Sequence, residues 1–133
     1  MIVQYKYKFF LNAMHFVVID GKQGAAHSHC FEIVVDIAAV DESKFTMFKD
    51  IEMKMEELLE PYQDKLLNDI SPFDEINPTI ENIGKYLSKT FNKELYKLGW
   101  AMLCIEISES PSRSFIINVV DDEIRKELTK ANS

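Results

Sequence analysis

From Tyr5 to Val17 the odd positions read Tyr5, Tyr7, Phe9, Leu11, Ala13, His15 and Val17, while Lys6, Lys8 and Asn12 fall on even ones. A period of two predicts a strand with one buried face. Asp20 to Gly24 supplies two glycines and little apolar content, and alternation resumes with His27, His29, Phe31, Ile33, Val35 and Ile37. The pattern predicts a hairpin whose two strands are joined by a long loop. Between Asp41 and Leu67 the spacing becomes helical, with Phe48, Ile51, Met55, Leu58 and Leu59 on one stripe, and Pro61 predicts where that helix ends. Asn77-Pro78-Thr79 reads as an N-cap followed by proline at the first helical position, opening a second helix through Ile80, Ile83, Leu87 and Phe91 to about Leu98. Met102 to Ser108 and Ser114 to Val120 read as a second hairpin, and Asp121 to Lys130 as a short charged helix. The order strand-strand-helix-helix-strand-strand predicts an α+β layer: an antiparallel four-stranded sheet with two helices packed on one face.

A length of 133 residues suits a single domain, 1–133. The net charge of -7 disfavours a nucleic-acid backbone or an anionic membrane surface as partner, which leaves a small molecule or another protein. The longest uncharged stretch, Phe9 to Ile19, falls far short of the roughly 20 residues a membrane helix needs. Two cysteines, Cys30 and Cys104, without a basic-apolar leader predict free thiols and a cytoplasmic location.

All three histidines fall on the first predicted hairpin, as His15, His27 and His29. Residues two apart on a strand share a face, so His27 and His29 project together, and His15 shares the buried face of the partner strand. Three neutral imidazoles fill three corners of a tetrahedral zinc site and leave the fourth for water or substrate. A cupin-type iron or manganese site fails on composition, because no histidine follows His29. A zinc hydratase or hydrolase remains open on these residues alone.

Five segments in order resemble the family of 6-pyruvoyl-tetrahydropterin synthase and 6-carboxytetrahydropterin synthase. They are Leu11-Asn12-Ala13-Met14-His15, His27-Ser28-His29, Leu67-Asn68-Asp69, Asn77-Pro78-Thr79-Ile80-Glu81, and Ile105 to Ser110. The resemblance implies the tunnelling fold, in which strand pairs from several subunits close into a barrel. It implies a homo-oligomer, a hexamer built from two trimers, and zinc on His15, His27 and His29. It also implies a reduced pterin as substrate, held by Glu109 and Thr79. A carboxylate suits the adjacent N–H donors of a pterin ring as a bidentate acceptor. Glu106 is the register rival, but Glu109 shares the parity of Ile105 and Ile107.

The chain also departs from the family's pattern. Where the family carries its catalytic cysteine this chain has Gln23, and where it carries an Asp-His pair this chain has Gln63-Asp64. Asp64 is the expected replacement base. Cys30 has the wrong parity to join the histidines and is expected to be a buried, inert thiol. Lys22, Lys65 and Arg113 are the cations near the site segments, whereas Lys6 and Lys8 have the wrong parity. These features predict a zinc-dependent pterin lyase with altered chemistry and weak or absent synthase activity. The alternative is a catalytically inactive relative kept as a metal- and pterin-binding or regulatory module.

Overall fold

The computed structural model describes residues 4–40 and 46–119. The start of the first predicted helix, the last residue of the final predicted strand and the predicted charged helix at Asp121 to Lys130 lie outside these residues. Strands β1 (Tyr5–His15) and β4 (His27–Ala39) form the first hairpin, and β5 (Trp100–Ser110) with β6 (Arg113–Asn118) the second. Both hairpins join in one antiparallel sheet of order β1-β4-β5-β6. Helices α1 (Phe48–Leu59) and α2 (Ile80–Lys97) connect the two hairpins.

The alternation in the sequence becomes a burial pattern. Phe9, Leu11 and Ala13 of β1 and Phe31, Ile33, Val35 and Ile37 of β4 are buried, and they meet Ile51, Met55 and Leu59 of α1 and Ile83, Leu87, Phe91 and Leu95 of α2. Both helices therefore cover the same sheet face. Truncating one of these side chains, Leu87→Ala for example, would cost about 2–5 kcal/mol. Phe48, expected on the buried stripe of α1, is half exposed and meets Tyr5 edge-on at 4.8 Å between ring centroids. Cys30 corrects a second expectation: it is exposed, because among the described residues no layer covers it on the sheet face opposite the helices.

The loop between β1 and β4 contains a small ribbon of its own, β2 (Val18–Ile19) paired with β3 (Lys22–Gln23). Asp20 and Gly21 turn it with φ of 51° and 75°. Positive φ at both central residues is the mirror-image turn that matches strand twist, and Asp-Gly adopts it at little steric cost. Helix α1 gives way at Glu60-Pro61-Tyr62 to a short tighter turn, consistent with the predicted end near Pro61. Helix α2 begins two residues later than predicted: Thr79 is the cap, its Oγ1 accepting from the Asn82 amide at 3.1 Å. Asn77 is instead spent on another segment. No helix among the described residues is long and apolar enough to cross a membrane.

Candidate functional site

Register brings the three histidines together. His15 lies directly opposite His27, and Ala13 opposite His29, so the two ends of the hairpin place all three rings at one corner of the sheet. Ring centroids are 4.7 Å apart for His15 and His27, 4.6 Å for His27 and His29, and 5.3 Å for His15 and His29. One ligand nitrogen from each lies within 4.8 Å of the other two. His15 is buried, His29 partly so, and His27 faces outward.

Hydrogen bonds determine which nitrogens are available. Nδ1 of His15 donates to the Pro78 carbonyl at 2.8 Å, and Nδ1 of His27 donates to the Ala25 carbonyl at 3.0 Å. A carbonyl only accepts, so both Nδ1 atoms carry the proton and, in neutral rings, both Nε2 atoms present lone pairs. Those two Nε2 atoms face each other at 3.1 Å. Two lone pairs at that distance repel unless a proton or a metal ion lies between them. Burial above all lowers the pKa of His15, and the two other imidazoles act in the same direction, against the Pro78 carbonyl and Glu109. The buried ring thus favours its neutral form, the form a metal requires. The donor set fits zinc: three imidazole nitrogens, two of them oriented by backbone carbonyls.

Glu109 reaches this corner as its parity predicts, with Oε2 3.6 Å from Nε2 of His29 and 3.8 Å from Nε2 of His15. Glu106 lies instead along the opposite face, beside a cavity lined by Cys30 and Glu32 that Glu109 also reaches. A cavity of about 550 Å³ opens over His15 and His27 and is also lined by Thr79, Glu81, Glu109 and Arg113. Thr79 Oγ1 accepts the cap bond, which leaves its hydroxyl proton free to point into that space.

Asp64 does not line this cavity. It lines a separate one of about 350 Å³ with Asn12, Ser28, His29 and Cys30. Its backbone holds φ at 60°, and its amide donates to the Asn12 carbonyl at 2.6 Å. Gln23 is exposed in β3, paired with Val18.

Periodicity missed a group of amide side chains. Gln63 accepts from the Asn12 amide at 3.0 Å and donates to the Phe10 carbonyl at 2.9 Å. Asn68 does the same to the amide and carbonyl of Phe16, and Asn77 to those of Val18. Each side chain thereby imitates a neighbouring strand and satisfies outward backbone groups of β1 and of the chain that follows it. The Met14 amide completes the row by donating to the Lys65 carbonyl at 2.9 Å. The only local signal was the sequence of polar amides between the two helices, and their partners lie more than fifty residues away.

A family model described as 6-pyruvoyl tetrahydropterin synthase matches residues 4–119. Among solved structures, the 6-pyruvoyl tetrahydropterin synthase of Caenorhabditis elegans superposes with a TM-score of 0.74 at 17% identity, over 90% of this chain and 97% of that one. The synthase of Plasmodium vivax gives 0.63 at 13% identity, over 90% and 99%. An uncharacterised protein of Wolinella succinogenes gives 0.65 at 13% identity, over 90% and 99%. No curated protein sequence matches.

Proposed function

The chain belongs to the 6-pyruvoyl tetrahydropterin synthase family and has its tunnelling fold, and from that premise we propose that it is a zinc-dependent lyase acting on a reduced pterin of the dihydroneopterin type, with chemistry altered from the standard synthase. The observation that carries this is the facing pair of Nε2 atoms on His15 and His27, 3.1 Å apart with both Nδ1 protons committed to carbonyls. Zinc held by His15, His27 and His29 would supply a double positive charge that polarises an oxygen of the substrate.

The remaining roles fall to the chain's own side chains. Glu109 accepts the adjacent N–H donors of the pterin ring, and Thr79 donates its hydroxyl proton to the same substrate. The Pro78 carbonyl keeps the buried His15 in the tautomer whose Nε2 is bare. Arg113 lines the cavity and offers a cation to an anionic substituent. Asp64, which lines a different cavity of its own chain, would serve as replacement base across a subunit boundary, in the hexamer of two trimers that the family resemblance implies. The proposed setting is cytoplasmic.

One observation favours a second reading, an inactive metal- and pterin-binding module. Gln63, at one position of the family's Asp-His pair, has both ends of its amide engaged by β1 backbone and moves no proton. The test is turnover of dihydroneopterin and its triphosphate by zinc-loaded protein, with pterin binding measured in parallel. Product from either compound supports the lyase. Binding without product supports the module, and absence of both metal and pterin binding overturns both.

A further inference from the structure

We infer that Glu109 is the fourth donor of the histidine site while the protein is free of substrate, and that a pterin ring removes it by claiming its carboxylate. This rests on the zinc assignment above. Donor atoms that share one four-coordinate zinc, at bonds of about 2.0–2.2 Å, stand roughly 3.3–3.6 Å from one another. Oε2 of Glu109 lies 3.6 Å from Nε2 of His29 and 3.8 Å from Nε2 of His15. For two of the three imidazoles the oxygen is thus within a few tenths of an ångström of the separation expected of a fellow donor, and coordination requires the side chain to swing further toward His27, which it does not contact here. Among the described residues, the basic nitrogens within 4.0 Å of this carboxylate belong to these two imidazoles.

The backbone around Glu109 suits a side chain with two positions. The ladder between β4 and β5 ends at Glu32 opposite Ser108, and the ladder between β5 and β6 shifts register between Ile107 and Ser110. Glu109 itself has no partner in either ladder, between Ser108, paired with Glu32, and Ser110, paired with Arg113, the kind of irregularity that re-aims a side chain. Only 22% of the side chain is exposed, so it lies against the site rather than in bulk water.

The two positions are exclusive by orientation rather than by valence, since each carboxylate oxygen has two lone pairs: in this inference a carboxylate turned to pair both oxygens with the ring's adjacent N–H donors no longer reaches the metal. Ring binding therefore opens the fourth corner only when substrate is present. Linkage makes the effect reciprocal: the metal weakens the ring's hold on Glu109 by the same factor as the ring weakens the carboxylate's hold on the metal.

The experiment uses the full chain, stripped of metal and titrated with cobalt(II), whose visible absorption reports its coordination. The wild type is expected to show the intense bands of a closed four-coordinate site. Glu109→Gln is expected to show a different band pattern and an affinity lower by roughly tenfold or more, the scale on which metal sites respond to loss of a carboxylate partner. Adding dihydropterin, a ring without the side-chain hydroxyls, should shift the wild-type spectrum and leave that of Glu109→Gln in place. The ring titration on the wild type needs no variant, so it decides the matter even where Glu109→Gln does not fold. Fully loaded wild type and variant with superimposable spectra, or a wild-type spectrum indifferent to the ring, would overturn the inference and leave the zinc assignment standing. A wild type that takes up no cobalt overturns the zinc assignment and this inference with it.

Discussion

The ring of His15 and the carbonyl of Pro78, 63 residues apart in the chain, are joined by a hydrogen bond of 2.8 Å. The bond ties the last residue of β1 to the turn that opens α2. It selects the tautomer of His15, and Thr79 follows immediately as the cap of the helix. One turn thus orients a metal-binding candidate and places a hydroxyl over the same cavity.

Metal-replete protein should contain about one zinc per chain, the content of a single tetrahedral site. A His27→Ala/His29→Ala double variant should lose it, and elemental analysis showing full zinc in that variant would contradict the assignment.

Gln63 should matter to stability through its amide rather than through any proton. In Gln63→Glu the size is kept, but a carboxylate oxygen replaces the NH₂ that donates to the Phe10 carbonyl. Loss of that solvent-exposed bond should cost about 0.5–1.5 kcal/mol. Urea melts of the two proteins give the difference, and equal midpoints and slopes would show that the amide is not structural. The same reasoning makes Gln63→Asp, one half of restoring the family's Asp-His pair, costly to the fold.

The pKa of His15 is lowered from 6.5, so in the window between its depressed folded value and 6.5 the unfolded chain binds more protons than the folded one. Stability of the metal-free protein should therefore rise with pH across that window, level off above it, and be lost as pH falls toward the folded value. Thermal melts from about pH 5 to about pH 8 should show this slope in the wild type and a shallower one in His15→Gln.

Turnover of the standard triphosphate substrate should be weak or absent. Gln23 and Gln63 carry no titratable proton near neutrality, and general acid-base assistance is worth typically about 10²- to 10⁴-fold. A steady-state assay on zinc-loaded protein checks this, and ordinary synthase rates would show that the replaced residues are not needed.

Assembly should use the edges that the described residues leave open. Amides and the Lys65 carbonyl cover the far half of β1, from Phe10 to Met14. That leaves the near half, Tyr5–Phe9, and the outer edge of β6 as the places for another subunit. Sedimentation should give a hexamer, and a monomer at micromolar concentration would contradict the proposal.

Much of this was legible because it depends on local parity. Alternation carried Phe9, Leu11 and Ala13 to the core, placed His27 and His29 on one face, and preferred Glu109 over Glu106 for the side where the imidazoles lie. What was not legible depended on distant partners. Asn77 and Thr79 are both good caps, and nothing nearby decides between them. The choice falls to Thr79 because Asn77 is drawn to the backbone of Val18, 59 residues away. Cys30 was assigned the correct face, but burial of that face depends on a second layer that parity does not report. Asp64 sits beside its family motif in sequence, yet the left-handed backbone at that residue turns it toward a different cavity.

The row of side-chain amides also has a kinetic consequence. Outward N–H groups on an edge strand ordinarily exchange with solvent deuterium within the time of local fraying, because nothing has to unfold to release them. Here those of Asn12, Phe16 and Val18 are each bonded to a side-chain oxygen of Gln63, Asn68 or Asn77. Deuterium uptake at these three positions should be as slow as the detachment of the 63–77 segment from β1 and the residues that follow it. The exchange rate at a sheet edge thus becomes a measure of how firmly the strand ending in His15 is held.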